Sequence, residues 1–370
     1  MGARAFAAAL DLYQAFSGRR IAVLGADVLG QYVARRALQA GLEVTGMIDV
    51  RGPAALPDAR PVHNIPLHLG HAVRSTLTRA GLLEGLHIAP LSAPGSGFDI
   101  ACDTVVSALD LVPNVEAFDI LGCAIHWRPE RGGFVPLTDA EGRTSVPGVY
   151  AIGDCAGLTG GMVTDEQHAL HTARLAARAA ARDSGLEAPI EEPVLFPANS
   201  DSDPDSLRRQ WLEAHLSGRE DTLICRCEEV GVRELLGVRP PRYLKYDETH
   251  FADRDLRSLA VDGPINQDQI KRLTRAGMGA CQGRRCREQV QVLLAMQGNQ
   301  ATGSVAMPSY RAPLRPLPLN VLSAHDETAD MRATWPIWFG IPSQWLPQWE
   351  KVPDLIDPRD SRIGLQDAIE

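Results

Sequence analysis

Residues 20–30 read Arg20-Ile21-Ala22-Val23-Leu24-Gly25-Ala26-Asp27-Val28-Leu29-Gly30, and this stretch decides the fold. Four apolar residues in a row suit a buried strand, Gly25 ends it, and a helical pattern runs on through Ala40. A second apolar run, from Glu43 to Ile48, stops at Asp49. Strand, glycine turn, helix and strand in that order make a β-α-β unit of the dinucleotide-binding kind, with Asp49 about where a ribose hydroxyl needs an acceptor. Gly25, Gly30 and Asp49 are therefore candidate cofactor-binding residues. The middle glycine of the fingerprint is replaced by Asp27. That glycine ordinarily lets the backbone approach a pyrophosphate, and a carboxylate there faces like charge. The expectation is a Rossmann half kept for structure, without a bound nicotinamide cofactor.

Outward from this unit, residues 62–135 alternate short apolar runs with Gly and Pro breaks, so further strands are expected in an α/β region. Thr104 to Leu109 reads as a buried strand, with Val112-Pro113-Asn114 as the turn after it. Thr144-Ser145-Val146-Pro147-Gly148-Val149-Tyr150-Ala151-Ile152-Gly153-Asp154 reads as a turn leading into a strand, Val149 to Ile152, that stops at Gly-Asp. Thr164-Asp165-Glu166-Gln167 forms a capping box for a helix with Ala169, Leu170, Ala173, Ala176, Ala177 and Ala180 on one apolar face and Gly185 as its stop. The predicted organisation is an incomplete Rossmann-type domain over 1–185, a linker over 186–222 with one helix from Leu207 to Leu216, a cysteine module over 223–298, and an extended arm over 299–370. The arm is rich in Pro, which forbids long helices, and carries Trp335, Trp338, Trp345 and Trp349, which are expected to cover a surface of this chain or a partner.

Composition bounds the function. The chain has 370 residues, 45% of them hydrophobic, enough for two cores of ordinary size. A net charge of -9 argues against nucleic acid as the main partner. No apolar stretch is long enough for a membrane span, and the apolar start, Met1 to Leu10, lacks a secretory cleavage pattern. A cytoplasmic location is expected. Seven cysteines, an odd number with tight local pairs, suggest ligands more than a disulfide framework.

Those pairs are Cys225-Arg226-Cys227 and Cys281-Gln282-Gly283-Arg284-Arg285-Cys286, and all four cysteines are candidate metal ligands. The first pair precedes a short helix with Val232, Leu235 and Leu236 on one side. The second sits in a helix–loop–helix, with helices from Gln267 to Arg275 and from Arg284 to Met296, the latter burying Val290, Leu293 and Leu294. Gly277, Gly279 and Gly283 let the loop bend close to the ligands. Arg226, Lys271, Arg272, Arg275, Arg284, Arg285 and Arg287 would offset the negative charge of a four-thiolate site. An iron–sulfur cluster is the first reading. Zinc is the rival, although Cys-x-Cys strains a tetrahedral site, and buried free thiols are the remaining alternative. No Ser-His-Asp, Cys-His or paired-carboxylate constellation stands out, and the scattered His63, His68, His71, His168 and His171 read as surface or satisfied side chains.

Two resemblances sharpen these readings. The stretch from Thr144 to Asp154 resembles the second flavin-binding motif of glutathione-reductase-like flavoproteins, which implies that Gly153 and Asp154 approach FAD, the aspartate accepting from the ribityl chain. The two cysteine pairs, with Ile270 to Ala280 before the second, resemble the bacterioferritin-associated-ferredoxin-like [2Fe–2S] domain fused to the alpha subunits of amine dehydrogenases of the hydrogen cyanide synthase, opine oxidase and hydroxyproline dehydrogenase type. This implies [2Fe–2S] ligation by Cys225, Cys227, Cys281 and Cys286. It departs in the 53 residues between Cys227 and Cys281, a longer gap than usual; the extra segment, Arg239 to Pro264, is expected to form a surface excursion. Family members begin with a further GxGxxG unit for the ADP half of FAD, which this sequence does not show, so FAD is expected only with a missing half supplied by another chain or a longer reading frame. The resemblance implies an electron-transfer subunit that works with a partner flavoprotein dehydrogenase on an amino acid or opine-like amine, with no catalytic residue of its own. The alternatives are a non-enzymatic iron–sulfur binding or delivery protein and, against Asp27, a self-sufficient NAD(P)-dependent reductase.

Overall fold

A computed structural model describes residues 1–56, 62–109, 111–158, 166–190, 204–216, 218–245, 254–310, 314, 317–323 and 327–334. The first elements are α1 (Ala3–Ala7), β1 (Arg20–Leu24), α2 (Val28–Gln39), β2 (Glu43–Asp49), β3 (Leu67–Leu69), β4 (His71–Arg79), β5 (Leu82–Pro90), β6 (Phe98–Ala101) and β7 (Thr104–Ser107). β1 lies inside a parallel sheet of order β3-β2-β1-β7, while β4, β5 and β6 make a separate antiparallel meander. The period of two explains why β1 is apolar throughout. Ile21 and Val23 join the core under α2, whose Leu29, Val33 and Ala37 fill it, and Ala22 faces Leu86, Ile88 and Ile100 of the meander. The predicted β-α-β unit is thus present, with β1, α2 and β2 within a residue of their expected ends.

The first residues also belong to this core. Phe6 is fully buried and meets Phe16 edge to face at 5.1 Å, and the Met1 backbone nitrogen donates to the Val105 carbonyl at 2.7 Å, running α1 alongside β7.

Then follow α3 (Glu116–Ile120), the hairpin β8 (Ile125–Arg128) and β9 (Gly133–Pro136), α4 (Glu166–Asp183) and α5 (Pro204–Leu216). Two expectations need correction here. Val149 to Ile152 is not a strand: Tyr150 makes a single antiparallel bridge to Arg143 inside the turn, because the segment has no sheet edge to join. In α4 the buried face is His168, Leu175, Ala176 and Ala179, whereas Leu170 is 53% exposed and Ala177 exposed. Alanine is apolar enough to suggest a face but too small to fix which one is covered.

The cysteine module is built from β10 (Leu223–Cys225), β11 (Val230–Gly231), α6 (Val232–Leu236), α7 (Leu256–Asp262), α8 (Gln267–Thr274) and α9 (Arg287–Gln297). Its core unites Cys225, Leu235, Leu256, Ile270, Cys286, Val290, Leu293 and Leu294. The expected buried face of α9 is present. The helix starts at Arg287 and not at Arg284, since the glycine-bent loop takes the intervening residues. The excursion is not merely superficial either: α7 sends Leu256 and Leu259 into the core.

Residues Met1–Arg311 form one compact unit and Ala312–Glu370 a second. Among the described residues of the second are α10 (Leu319–Ser323) and α11 (Ala329–Ala333), the latter capped by Thr328 accepting from the Met331 backbone N–H. The expected capping residues Thr164 and Asp165, most of the Pro-rich linker, and all four tail tryptophans lie outside the described residues. No helix among the described residues is long and apolar enough to cross a membrane.

Candidate functional site

Three groups of predicted site residues have a definite place. At the carboxyl end of β1, where β2 and β7 diverge in chain order, an open α/β sheet offers its ligand crevice. Gly25, Gly30 and Asp49 all lie there, and the neighbouring charges are internal. Asp27 caps α2, its carboxylate accepting from the Leu29 and Gly30 backbone N–H groups at 3.1 and 3.4 Å. Asp49, fully buried, accepts from Ala26 N at 2.9 Å and from the Arg51 guanidinium at 2.8 and 3.0 Å, and Arg51 reaches Asp27 at 3.3 Å. Burial pushes the Asp27 carboxyl above the usual range, and the Arg51 charge pulls against it.

Gly153 and Asp154 open a short 3-10 turn, Gly153–Ala156. Gly153 adopts a φ of +59°, and the space a Cβ would enter there is empty. The Asp154 carboxylate, about half exposed, is paired with the Arg4 guanidinium of α1. Arg4 escaped the sequence reading because nothing local marks a pair 150 residues apart.

The fold brings Cys225 and Cys286, one from each pair, into one buried core. Cys225 ends β10 and Cys286 precedes α9, and both are buried. The Cys286 thiol draws the Cys225 pKa down to about 6, while contact with Cys225 and burial push Cys286 up. Gly277, in the left-handed region at φ +87°, donates its N–H to the Cys225 sulfur at 3.4 Å. Gly279 packs so tightly on Cys227 that a Cβ there would stand 2.4 Å from the Cys227 Cβ. Cys227 is exposed and Cys281 half-buried. Among the described residues no three His, Cys, Asp or Glu side chains close into a metal-binding set.

The surrounding cations are arranged differently from the expectation. Arg275 pairs with Glu228 at 2.6 Å, Arg287 with the buried Glu116 at 2.7 Å, Arg284 approaches Glu116 at 3.8 Å, and Lys271 donates to the Ser309 carbonyl. Their charge is spent on carboxylates and a carbonyl. Arg226, Arg272 and Arg285 remain exposed around the loop. Burial, and next the Arg226 guanidinium, lower the pKa of the Met1 amino group.

The chain thus joins a parallel-sheet β-α-β core to a thiol-rich helical module. In agreement, residues 2–180 match the family described as pyridine nucleotide-disulphide oxidoreductase, and residues 247–326 match the sarcosine oxidase A3 domain. The chain is similar to the opine oxidase A-subunit of Agrobacterium tumefaciens (strain Ach5), 29% identical over 62% of this chain and 42% of that protein. It is likewise similar to the opine oxidase A-subunit of Rhizobium meliloti, 27% identical over 62% of this chain and 40% of that one. It therefore spans about two fifths of the length of these relatives. In fold it resembles L-proline dehydrogenase from P. horikoshii, with a TM-score of 0.55 at 16% identity over 87% of this chain and 53% of the other.

Proposed function

We propose that this chain is the electron-transferring part of a hetero-oligomeric, flavin-dependent dehydrogenase that oxidises the C–N bond of an amino acid or opine-like amine, with Cys225, Cys227, Cys281 and Cys286 holding a [2Fe–2S] cluster. The observation that carries the reading is that the two cysteine pairs, 53 residues apart in sequence, meet at one glycine-bent loop: Cys225 and Cys286 lie in one buried core, Gly277 N–H donates to the Cys225 sulfur, and Gly279 packs on Cys227. The similarity to opine oxidase supports the substrate class, and that the relatives are subunits of that enzyme supports a partner chain.

The residues fit such a group in kind. All four donors are thiols, which suit iron–sulfur clusters, and the Gly277 N–H already donates to a sulfur. When bound, a [2Fe–2S] cluster supplies a one-electron relay. The chain's own part is to hold the thiols, exclude water from Cys225 and Cys286, and present an amide donor, which stabilises negative charge on sulfur. Asp154 fits the flavin-facing position as an accessible acceptor beside the open side of Gly153, with Arg4 neutralising it otherwise. FAD would engage Gly153 and Asp154 from one side, its remaining half held by further chain. The division into a Rossmann-type domain to 185 and a [2Fe–2S] module over 223–298 is part of this proposal.

Anaerobic purification followed by absorption, paramagnetic resonance and iron, sulfide and zinc analysis tests the reading. A [2Fe–2S] signal that disappears in Cys225→Ser and Cys286→Ser supports it. Stoichiometric zinc without iron, in colourless protein, refutes it.

A further inference from the structure

The Rossmann unit keeps two glycines of its fingerprint and has lost the third, and the reasons differ. A Cβ on Gly25 would stand 2.3 Å from the Ala108 carbonyl oxygen, and one on Gly30 would stand 2.1 Å from the Gly25 carbonyl oxygen. Strand and helix cannot pack without these two, whatever is bound. The middle position serves only the approach of a pyrophosphate. There the chain carries Asp27, whose carboxylate takes the Leu29 and Gly30 amides that a phosphate would otherwise use.

The ribose position is equally taken. One Asp49 oxygen accepts from the Arg51 backbone N–H at 2.9 Å and from Arg51 Nε at 3.0 Å. The other accepts from Ala26 N at 2.9 Å and from Arg51 Nη2 at 2.8 Å. A carboxylate has about four acceptor positions, and all four are used. A ribose hydroxyl would have to displace an internal donor from a fully buried group.

A third observation, independent of both, is what covers the crevice. Trp211 of α5, 7% exposed, is buried with Val50 and Ala72, and Leu24, Leu109 and Leu207 pack against them. Leu24, Val50 and Leu109 stand at or just beyond the carboxyl ends of β1, β2 and β7. On its other side α5 places Leu212 and Leu216 against the core of the cysteine module, and Arg209 donates to Gln300 O and Thr302 Oγ1 at 3.1 Å. The helix has one face for each.

We infer that the nucleotide crevice of this Rossmann unit is closed by the chain itself, Asp27 standing in for the phosphate and α5 for the rest of the ligand, and serves as the mount that fixes the cysteine module. No nicotinamide dinucleotide binds at Gly25–Gly30. The inference does not depend on which metal the cysteines hold.

Calorimetric titration of the full chain with NADH, NADPH and ADP-ribose tests it, alongside Asp27→Gly and the double variant Asp27→Gly/Trp211→Ala, each checked for native circular dichroism. The wild type is expected to give no saturable heat up to about 1 mM ligand, and at least one variant to gain about tenfold or more in ADP-ribose affinity. Saturation of the wild type below that concentration overturns the inference, as does the absence of gain in both folded variants. Should Asp27→Gly not fold, Asp27→Asn, which retains a cap acceptor and loses the charge, takes its place under the same criterion.

Discussion

Replacing Glu116 by Ala removes the anion against which Arg287 is buried, and the consequence can be worked through. Both side chains are 6% exposed, and the guanidinium also meets the Tyr310 hydroxyl at 2.6 Å and the Pro113 carbonyl at 3.2 Å. Taking one partner from a buried ion pair leaves a desolvated charge and costs about 3–5 kcal/mol. Glu288, also paired with Arg287 and 21% exposed, keeps part of the compensation, so the lower end, about 3 kcal/mol, is expected. The compact unit Met1–Arg311 has an unfolding entropy of about 0.65 kcal/mol/K at the usual value per residue, so the midpoint should fall by about 5 °C. Replacing both members, Glu116→Leu with Arg287→Met, should recover most of that loss, because two matched apolar groups need no counter-charge. Thermal unfolding of the wild type, Glu116→Leu, Arg287→Met and the double variant completes a double-mutant cycle. A shift under about 1 °C for Glu116→Ala, or a double variant as unstable as the two single losses added, would show that the pair does not hold α9 to α3.

Three further outcomes are expected. Gly279→Ala, which drives a Cβ into Cys227, should lose most of the iron that the proposed cluster would bring while keeping its helical content; iron content equal to the wild type would remove that loop from the proposed site. Trp211→Ala should cost about 3–5 kcal/mol in urea unfolding, and Trp211→Phe clearly less, since the indole N–H has no partner among the described residues; equal losses would contradict a purely packing role. Hydrogen bonds from Arg143 and then Tyr150 hold the Asp183 carboxyl down at about 2, against an ordinary 3.8. A depressed carboxylate contributes stability that is fully present above 3.8 and is lost as the pH falls through 2. Asp183→Asn should therefore flatten the acid limb of an α4 melting curve in that window. Identical limbs in variant and wild type would refute the assignment.

How far the sequence could be read depended on the range of the interaction involved. The β-α-β unit was legible because its signals are local: an apolar run, two glycines, a helical period and a second run within thirty residues. The helices of the cysteine module were legible for the same reason. The face of α4 was not, because a string of alanines leaves the burial direction to whatever packs against it. Val149 to Ile152 has strand composition, yet a strand needs a neighbour to pair with, and composition does not supply one. The seven cations around the two cysteine pairs suggested compensation for thiolates. Glu116 and Glu228 take three of them, and Glu116 lies in a distant part of the chain.

By itself, then, the sequence determined the α/β class, the place of the fingerprint and its defect at Asp27, and it marked the four cysteines as candidate ligands. These follow from backbone requirements and residue chemistry acting over a few positions. Only the tertiary structure decided that Asp27, Arg51 and Asp49 satisfy one another, that Trp211 fills the crevice, that Arg4 sits on Asp154, and that Cys225 and Cys286 share one buried core. Each is a contact between residues far apart in the chain or placed by a turn, so its energy exists only after the chain has closed the intervening loops.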